Sequence, residues 1–133
     1  MKMVIYCDGA SRGNPGLAGA GAVIKNAKGK ILGTVKKFLG ETTNNVAEYQ
    51  SVILGLTKAR ELGAKSITLK ADSQLVINQL KGDWRVREPH LVALYQQTMK
   101  LLGQFDNYTL KHISRDENTL ADSLANEAID LKS

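Results

Sequence analysis

The apolar pattern of this chain changes period once, near Asn45, and no other feature constrains its fold as strongly. Before that point, residues 2–8, 18–25 and 31–39 read as strands. Gly9 to Gly16 reads as a turn-rich loop between the first two. Asn26-Ala27-Lys28-Gly29 is a hairpin signal between the second and third. Three consecutive strands with short connections imply an antiparallel meander. After Asn45 the period becomes helical. Tyr49, Val52, Ile53, Leu56, Ala59 and Leu62 share one face, and Gly63 follows as a C-terminal stop. Residues 65–71 and 107–113 read as two further strands. Helices are expected over Ser73–Leu80, from Pro89 through Leu102, and over Asn118–Leu131. In the last helix, Leu120, Leu124, Ala128 and Leu131 form the apolar stripe.

The resulting order is βββ-α-β-α-α-β-α. It predicts an α/β fold with a mixed five-stranded sheet and helices on both faces. The 133 residues suit one domain, residues 1–133, with no linker, repeat or low-complexity run. No apolar run approaches the roughly 18 residues that a membrane span needs. The first residues turn acidic at Asp8, too soon for a signal peptide. The single cysteine, Cys7, excludes an internal disulfide and a cysteine-built zinc site. It reads as a small buried strand residue, and the cytoplasm is the expected compartment. A net charge of +5, from 18 Lys+Arg against 13 Asp+Glu, is compatible with polyanion binding without requiring it.

Four acids fall at strand ends and helix starts: Asp8, Glu48, Asp72 and Asp122. Sites in open α/β sheets form at such positions. If the first and fourth strands are neighbours, Asp8 and Asp72 meet. Gathered carboxylates repel one another, so a cluster is stable only with a cation inside it. Oxygen-only ligands suit Mg²⁺ or Mn²⁺. A pair of such ions about 4 Å apart can activate water and stabilise the leaving oxygen of a phosphodiester. Each acid also has a structural reading. Glu48 follows Asn45 at capping-box spacing. Asp72 precedes a short helix as a near-cap residue. Asp122 suits a helix start through the dipole. Asp8 has the least structural reason to be where it is.

The segments around these acids resemble the type 1 ribonuclease H family. Asp8-Gly9-Ala10-Ser11-Arg12-Gly13-Asn14-Pro15-Gly16 is similar to its first motif. Thr42-Thr43-Asn44-Asn45-Val46-Ala47-Glu48-Tyr49 is similar to its second. Ala71-Asp72-Ser73-Gln74-Leu75-Val76 resembles the third, and the segment from His112 to Asp122 the fourth. The four occur in family order and span nearly the whole chain. The resemblance implies a ribonuclease H-like fold and a monomer that cuts the RNA strand of RNA–DNA hybrids. Two Mg²⁺ or Mn²⁺ ions would assist, leaving a 5′-phosphate and a 3′-hydroxyl. By motif position, Asp8 bridges both ions, Asp122 completes the site of the attacking water, and Glu48 and Asp72 complete the other. His112 matches a loop histidine associated with proton transfer or product release, and reads equally as a strand-end surface residue. Arg115 resembles a basic residue of the same loop in one subgroup.

For substrate, the resemblance implies contacts from the backbone of the Ser11, Arg12, Gly13 and Asn14 segment, with Asn14 itself, and from Gln74 to the RNA minor-groove face. Asn44 and Asn45 would lie between the strands, and Thr43 would help hold a DNA phosphate. Asn44 and Asn45 read equally as helix caps. The segment Lys81–Pro89 is short, as in the subgroup that lacks a basic protrusion. Within it Trp84, Arg85 and Arg87 could touch DNA by stacking and charge; alternatively Trp84 packs on the core. Two other functions compete. One is a non-catalytic hybrid- or RNA-binding module of the same fold, which should have lost at least one acid. The other is an integrase- or resolvase-like nuclease, which should lack the Thr-Asn-Asn helix start and the Ser-Gln after Asp72.

Overall fold

The computed structural model describes residues Met1–Ser133. Five strands and four helices follow the expected order: β1 (Lys2–Gly13), β2 (Gly16–Asn26), β3 (Ile31–Thr42), α1 (Asn44–Glu61), β4 (Ser66–Ala71), α2 (Gln74–Leu80), α3 (Pro89–Leu102), β5 (Asn107–His112) and α4 (Thr119–Leu131). A single 3₁₀ turn, Arg115–Glu117, precedes α4. The sheet order is β3-β2-β1-β4-β5. The first three strands are an antiparallel meander, and β4 and β5 add in parallel. No helix is long and apolar enough to cross a membrane.

The glycine-rich segment after Asp8 is strand, not loop. β1 stays paired with β2 from Gly9↔Ala20 to Gly13↔Gly16, and the chain turns only at Asn14-Pro15. Its glycine serves packing rather than turning. A Cβ on Gly9 would strike the backbone of Ala47 and Glu48, so α1 begins directly on the strand. β3 likewise runs on to Thr42, where it pairs with Gly16. Asp8 therefore lies within β1, although it follows the last residue that β4 pairs with.

One face of the sheet carries the main core. Met3, Ile5, Cys7, Ala22, Ile24, Ile67 and Leu69 pack with Tyr49, Val52 and Leu56 of α1 and with buried residues of α2 and α3. Burying each side chain of Leu or Ile size contributes about 1.5–3 kcal/mol. The Tyr49 hydroxyl donates to Gln79 Oε1 at 2.5 Å, so the buried polar ends of α1 and α2 satisfy one another. Helix α1 is capped by Thr43, whose Oγ1 accepts from the Val46 N–H at 3.3 Å. Ser73 caps α2 in the same way through Val76.

Helix α4 covers the opposite face, with a stripe that keeps Ala128 of the expected four but not Leu120 or Leu131. Its buried residues are Ala121, Ala125, Ala128 and Ile129, whereas Leu120 and Leu131 are 43% and 59% exposed. The reason lies on β2. Gly19 and Gly21 present no side chain, so the α4 backbone sits almost on the strand. Three alanines and Ile129 fill that gap, Leu124 is half-buried against Gly21, and Leu120 and Leu131 are turned aside. A Cβ at Gly21 would lie 2.6 Å from the Ala121 carbonyl oxygen and 2.7 Å from Leu124 Cβ. Gly21→Ala is thus expected to lower the unfolding free energy by about 1–3 kcal/mol, measured by urea denaturation.

Candidate active site

Two backbone facts bring the acids together. β1 and β4 run parallel with Cys7↔Ala71 as their last pair, so Asp8 and Asp72 follow side by side. Asp8 pairs across β2 with Gly21, which faces α4, so its carboxylate is on the α4 side of the sheet. Beyond Cys7 the β4 edge of β1 has no strand partner. There the Gly9 N–H donates to Glu48 Oε1, fixing that side chain from α1. Carboxylate oxygens of Asp8, Glu48 and Asp72 all lie within 4.8 Å of one another. Asp122, in the first turn of α4, lies close enough to Asp8 to help raise its proton affinity. All four acids line one open cavity of about 560 Å³.

The capping readings of these residues do not hold. Thr43 caps α1, so Glu48 accepts from Gly9 rather than closing a capping box. Neither Asn44 nor Asn45 is the cap, and both line the cavity. Ser73, not Asp72, caps α2. Asp122 keeps its favourable place at a helix start.

The cluster carries uncompensated charge. The three ion pairs of the protein, Arg12–Asp130, Lys36–Glu127 and His90–Glu88, include none of the four acids. Burial, then the charges of Glu48 and Asp72, then hydrogen bonds to Asp122 and Glu48 push Asp8 up to about 10. Burial also pushes Glu48 up to about 7; the Gly9 N–H opposes this, and Asp72 adds to it. Arg115 in the 3₁₀ turn pulls Glu48 down more weakly. A set of hard carboxylate oxygens with no cation partner fits a divalent metal ion. Cys7 is no part of this set. It faces the α1 side, fully buried, and burial followed by the nearby acids pushes its thiol well up.

The remaining predicted residues divide. Ser11, Asn44, Asn45, His112 and Arg115 line the cavity with the acids. His112 Nε2 lies 3.3 Å from the Asp72 carbonyl oxygen. Ser11 Oγ lies within hydrogen-bond reach of the carbonyls of Thr42, at 2.9 Å, and Gly13, either of which can take its one proton. Asn14 Oδ1 accepts from the Asn44 N–H at 3.1 Å, tying the β1–β2 turn to the start of α1. Gly13 ends β1, while Gln74 is exposed on the first turn of α2; neither lines the cavity. Arg12 points away from it, onto α4. Trp84 is 44% exposed beside Arg85 and Tyr95, which removes its reading as a core residue.

Two residues around the site went unremarked in the sequence. Asn118 is buried, and its Nδ2 donates to the Cys7 carbonyl at 2.7 Å, anchoring the start of α4 to β1. Asn126 donates to Asp122. Its spacing, four residues after a helical acid, was the available signal.

Fold and acidic cluster together define a ribonuclease H-like domain. Residues 6–128 match the family described as reverse transcriptase-like. The bifunctional protein Rv2228c of Mycobacterium tuberculosis is 47% identical over 131 residues, 98% of this chain. The chain spans only 36% of that relative's length. A ribonuclease H of Clostridium botulinum is 32% identical over 145 residues, covering 97% of this chain and 96% of that protein. Among solved structures, LC11-RNase H1 in complex with RNA/DNA hybrid superposes with a TM-score of 0.93 at 38% identity, covering 98% of each chain. The chain belongs to the type 1 ribonuclease H family.

The raised Asp8 has a measurable consequence. The folded state holds its proton more tightly than the unfolded chain, whose value lies near 3.8. Without metal, Asp8 therefore costs stability increasingly as pH rises from that value towards 10. Asp8→Asn should melt higher than the wild type at pH 8 in chelator, by roughly 4 °C per kcal/mol relieved, with the gap closing by pH 4. Differential scanning calorimetry across that range checks both the sign and the pH window.

Proposed function

We propose that this chain is an endoribonuclease that hydrolyses the RNA strand of RNA–DNA hybrids, leaving 5′-phosphate and 3′-hydroxyl ends. The observation that carries this reading is the cluster of Asp8, Glu48 and Asp72 within 4.8 Å, with Asp122 beside Asp8 and none of the four in an ion pair. A relative of the same family is known in complex with an RNA/DNA hybrid. Residues 1–133 would act as one catalytic unit and as a monomer.

Two divalent ions, Mg²⁺ or Mn²⁺, would be held by the four acids. Asp8, central among them, would be shared. Asp122 would complete one ion's ligands, and Glu48 and Asp72 the other's. When bound, such ions supply Lewis-acid stabilisation of charge developing on the phosphate and its leaving oxygen. The chain's own residues do the rest. The Gly9 N–H holds Glu48 in place against the strand. His112, beside the Asp72 carbonyl, exchanges a proton at a ring nitrogen with the departing product. Arg115 adds positive charge at the cavity rim.

Hybrid recognition falls to the cavity walls. Ser11, Asn44 and Asn45 offer donors and acceptors suited to 2′-hydroxyls and minor-groove base edges. Thr43 at the start of α1 suits a DNA phosphate. The exposed Trp84, with Arg85 and Arg87, suits the DNA strand by stacking and charge.

End-labelled hybrid, duplex DNA and duplex RNA, each incubated with Mg²⁺ or Mn²⁺, test the reading. Only the RNA of the hybrid should be cut, with 5′-phosphate ends. Asp8→Asn and Asp72→Asn should lose cleavage while their circular dichroism spectra stay unchanged. Hybrid that remains uncut with either metal overturns the proposal, and hybrid bound but uncut would favour a binding module. Trp84→Ala should raise KM for hybrid about tenfold and leave kcat near wild type, in line with the usual worth of one stacked aromatic.

A further inference from the structure

Asp122 is the one acid of the four supplied by α4, and the structure surrounds it with a line of contacts along that helix. Asn126 lies one turn on. Its Nδ2 donates to the Asp122 carbonyl at 3.0 Å and to the carboxylate Oδ1 at 3.3 Å. Both bonds leave from one amide nitrogen, so the side chain is folded back over the acid.

An asparagine amide has two faces of similar shape, and only one presents N–H groups. Arg12 decides which. Its Nη2 lies 3.4 Å from both the Asn126 Oδ1 and the Asn126 carbonyl oxygen. A guanidinium only donates, so it selects the orientation in which the amide oxygen faces it. The NH₂ group must then face Asp122. Turned over, the amide would set its nitrogen against the guanidinium and its oxygen against the carboxylate, repulsive at both ends. Arg12 is itself held, because its Nη1 pairs with Asp130 Oδ1 at 2.7 Å. Asp122, Asn126 and Asp130 follow at four-residue steps along one face of α4. A single arginine from β1 spans the last two.

We propose that Asn126 is a positioning residue that holds the Asp122 carboxylate in the orientation needed to bind a divalent cation, and that Arg12 acts through it by fixing the direction of the amide. A neutral donor suits this task, since it orients the carboxylate without neutralising its charge. The proposal assigns the Arg12 side chain to α4. It rests on the reading of Asp122 as a metal ligand.

The test uses the full chain and Mn²⁺ alone, titrated by electron paramagnetic resonance without nucleic acid, followed by hybrid cleavage against Mg²⁺ concentration. Asn126→Ala should weaken Mn²⁺ binding about 10–100-fold, the usual effect of losing a group that orients a metal ligand. The Mg²⁺ needed for half-maximal cleavage should rise in step. KM for hybrid should hold, and excess Mg²⁺ should restore kcat. Arg12→Ala should weaken Mn²⁺ binding less. The double variant should be no worse than Asn126→Ala, since both act through one bond. Alanine suits a helix interior, and thermal melts of each variant establish that the fold is kept. Unchanged Mn²⁺ affinity in Asn126→Ala overturns the proposal, as do additive losses in the double variant. Asp122→Asn separates the two levels of inference. If it loses affinity and Asn126→Ala does not, only the positioning role falls. If Asp122→Asn binds Mn²⁺ as the wild type does, the metal-ligand reading falls, and this proposal with it.

Discussion

The parallel pairing of β1 with β4 sets Asp8 and Asp72 side by side, and everything at the site is arranged around that contact. Pairing ends at Cys7↔Ala71, so both acids emerge where the two strands part. The gap left on the β4 edge of β1 exposes the Gly9 N–H, which Glu48 fills from α1. Gly9 must be glycine because α1 rests on it, and α1 must rest there for Glu48 to reach. On the other face, Gly19 and Gly21 let α4 approach closely enough for Asp122 to meet Asp8. Missing side chains on β1 and β2 thus do as much to assemble the site as the acids themselves.

Such an arrangement opposes stability unless a cation is present. Asp8 is pushed up to about 10 and Glu48 to about 7 because burial and mutual repulsion both disfavour their charged forms. A bound divalent ion reverses the sign of these interactions and makes the same oxygens ligands. Two asparagines, Asn118 just before α4 and Asn126 within it, support this geometry from outside the cluster. Asn118 ties the helix start to the Cys7 carbonyl, and Asn126 reaches back to Asp122.

Much of the fold was legible in the sequence, and the exceptions share a cause. The order of strands and helices followed from a change in apolar period and from stop signals such as Gly63 and Pro89. Gly9 to Gly13 reads as a loop because glycine is usually a turn residue, yet here it is strand, since β2 lies alongside to pair with it. The buried face of α4 reads as the stripe of Leu120, Leu124, Ala128 and Leu131 because large apolar side chains usually mark the core side. The strand beneath is bare at Gly19 and Gly21, so the helix lies close and turns Ala121, Ala125, Ala128 and Ile129 inward. The partners of the Arg12 side chain could not be read locally at all, since they lie on α4 more than a hundred positions away.

The sequence by itself determined the elements, their order and the chemical identity of the four acids. Periodicity, caps and breakers act between residues a few positions apart, so they can be read locally. Tertiary structure decided that the acids converge on one cavity, that Glu48 answers Gly9 rather than a helix cap, and that Trp84 lies exposed. It also decided that Asn126 and Arg12 serve Asp122. Each of these depends on strand register or on the distance at which a helix can lie against a glycine, and neither exists until the sheet has formed.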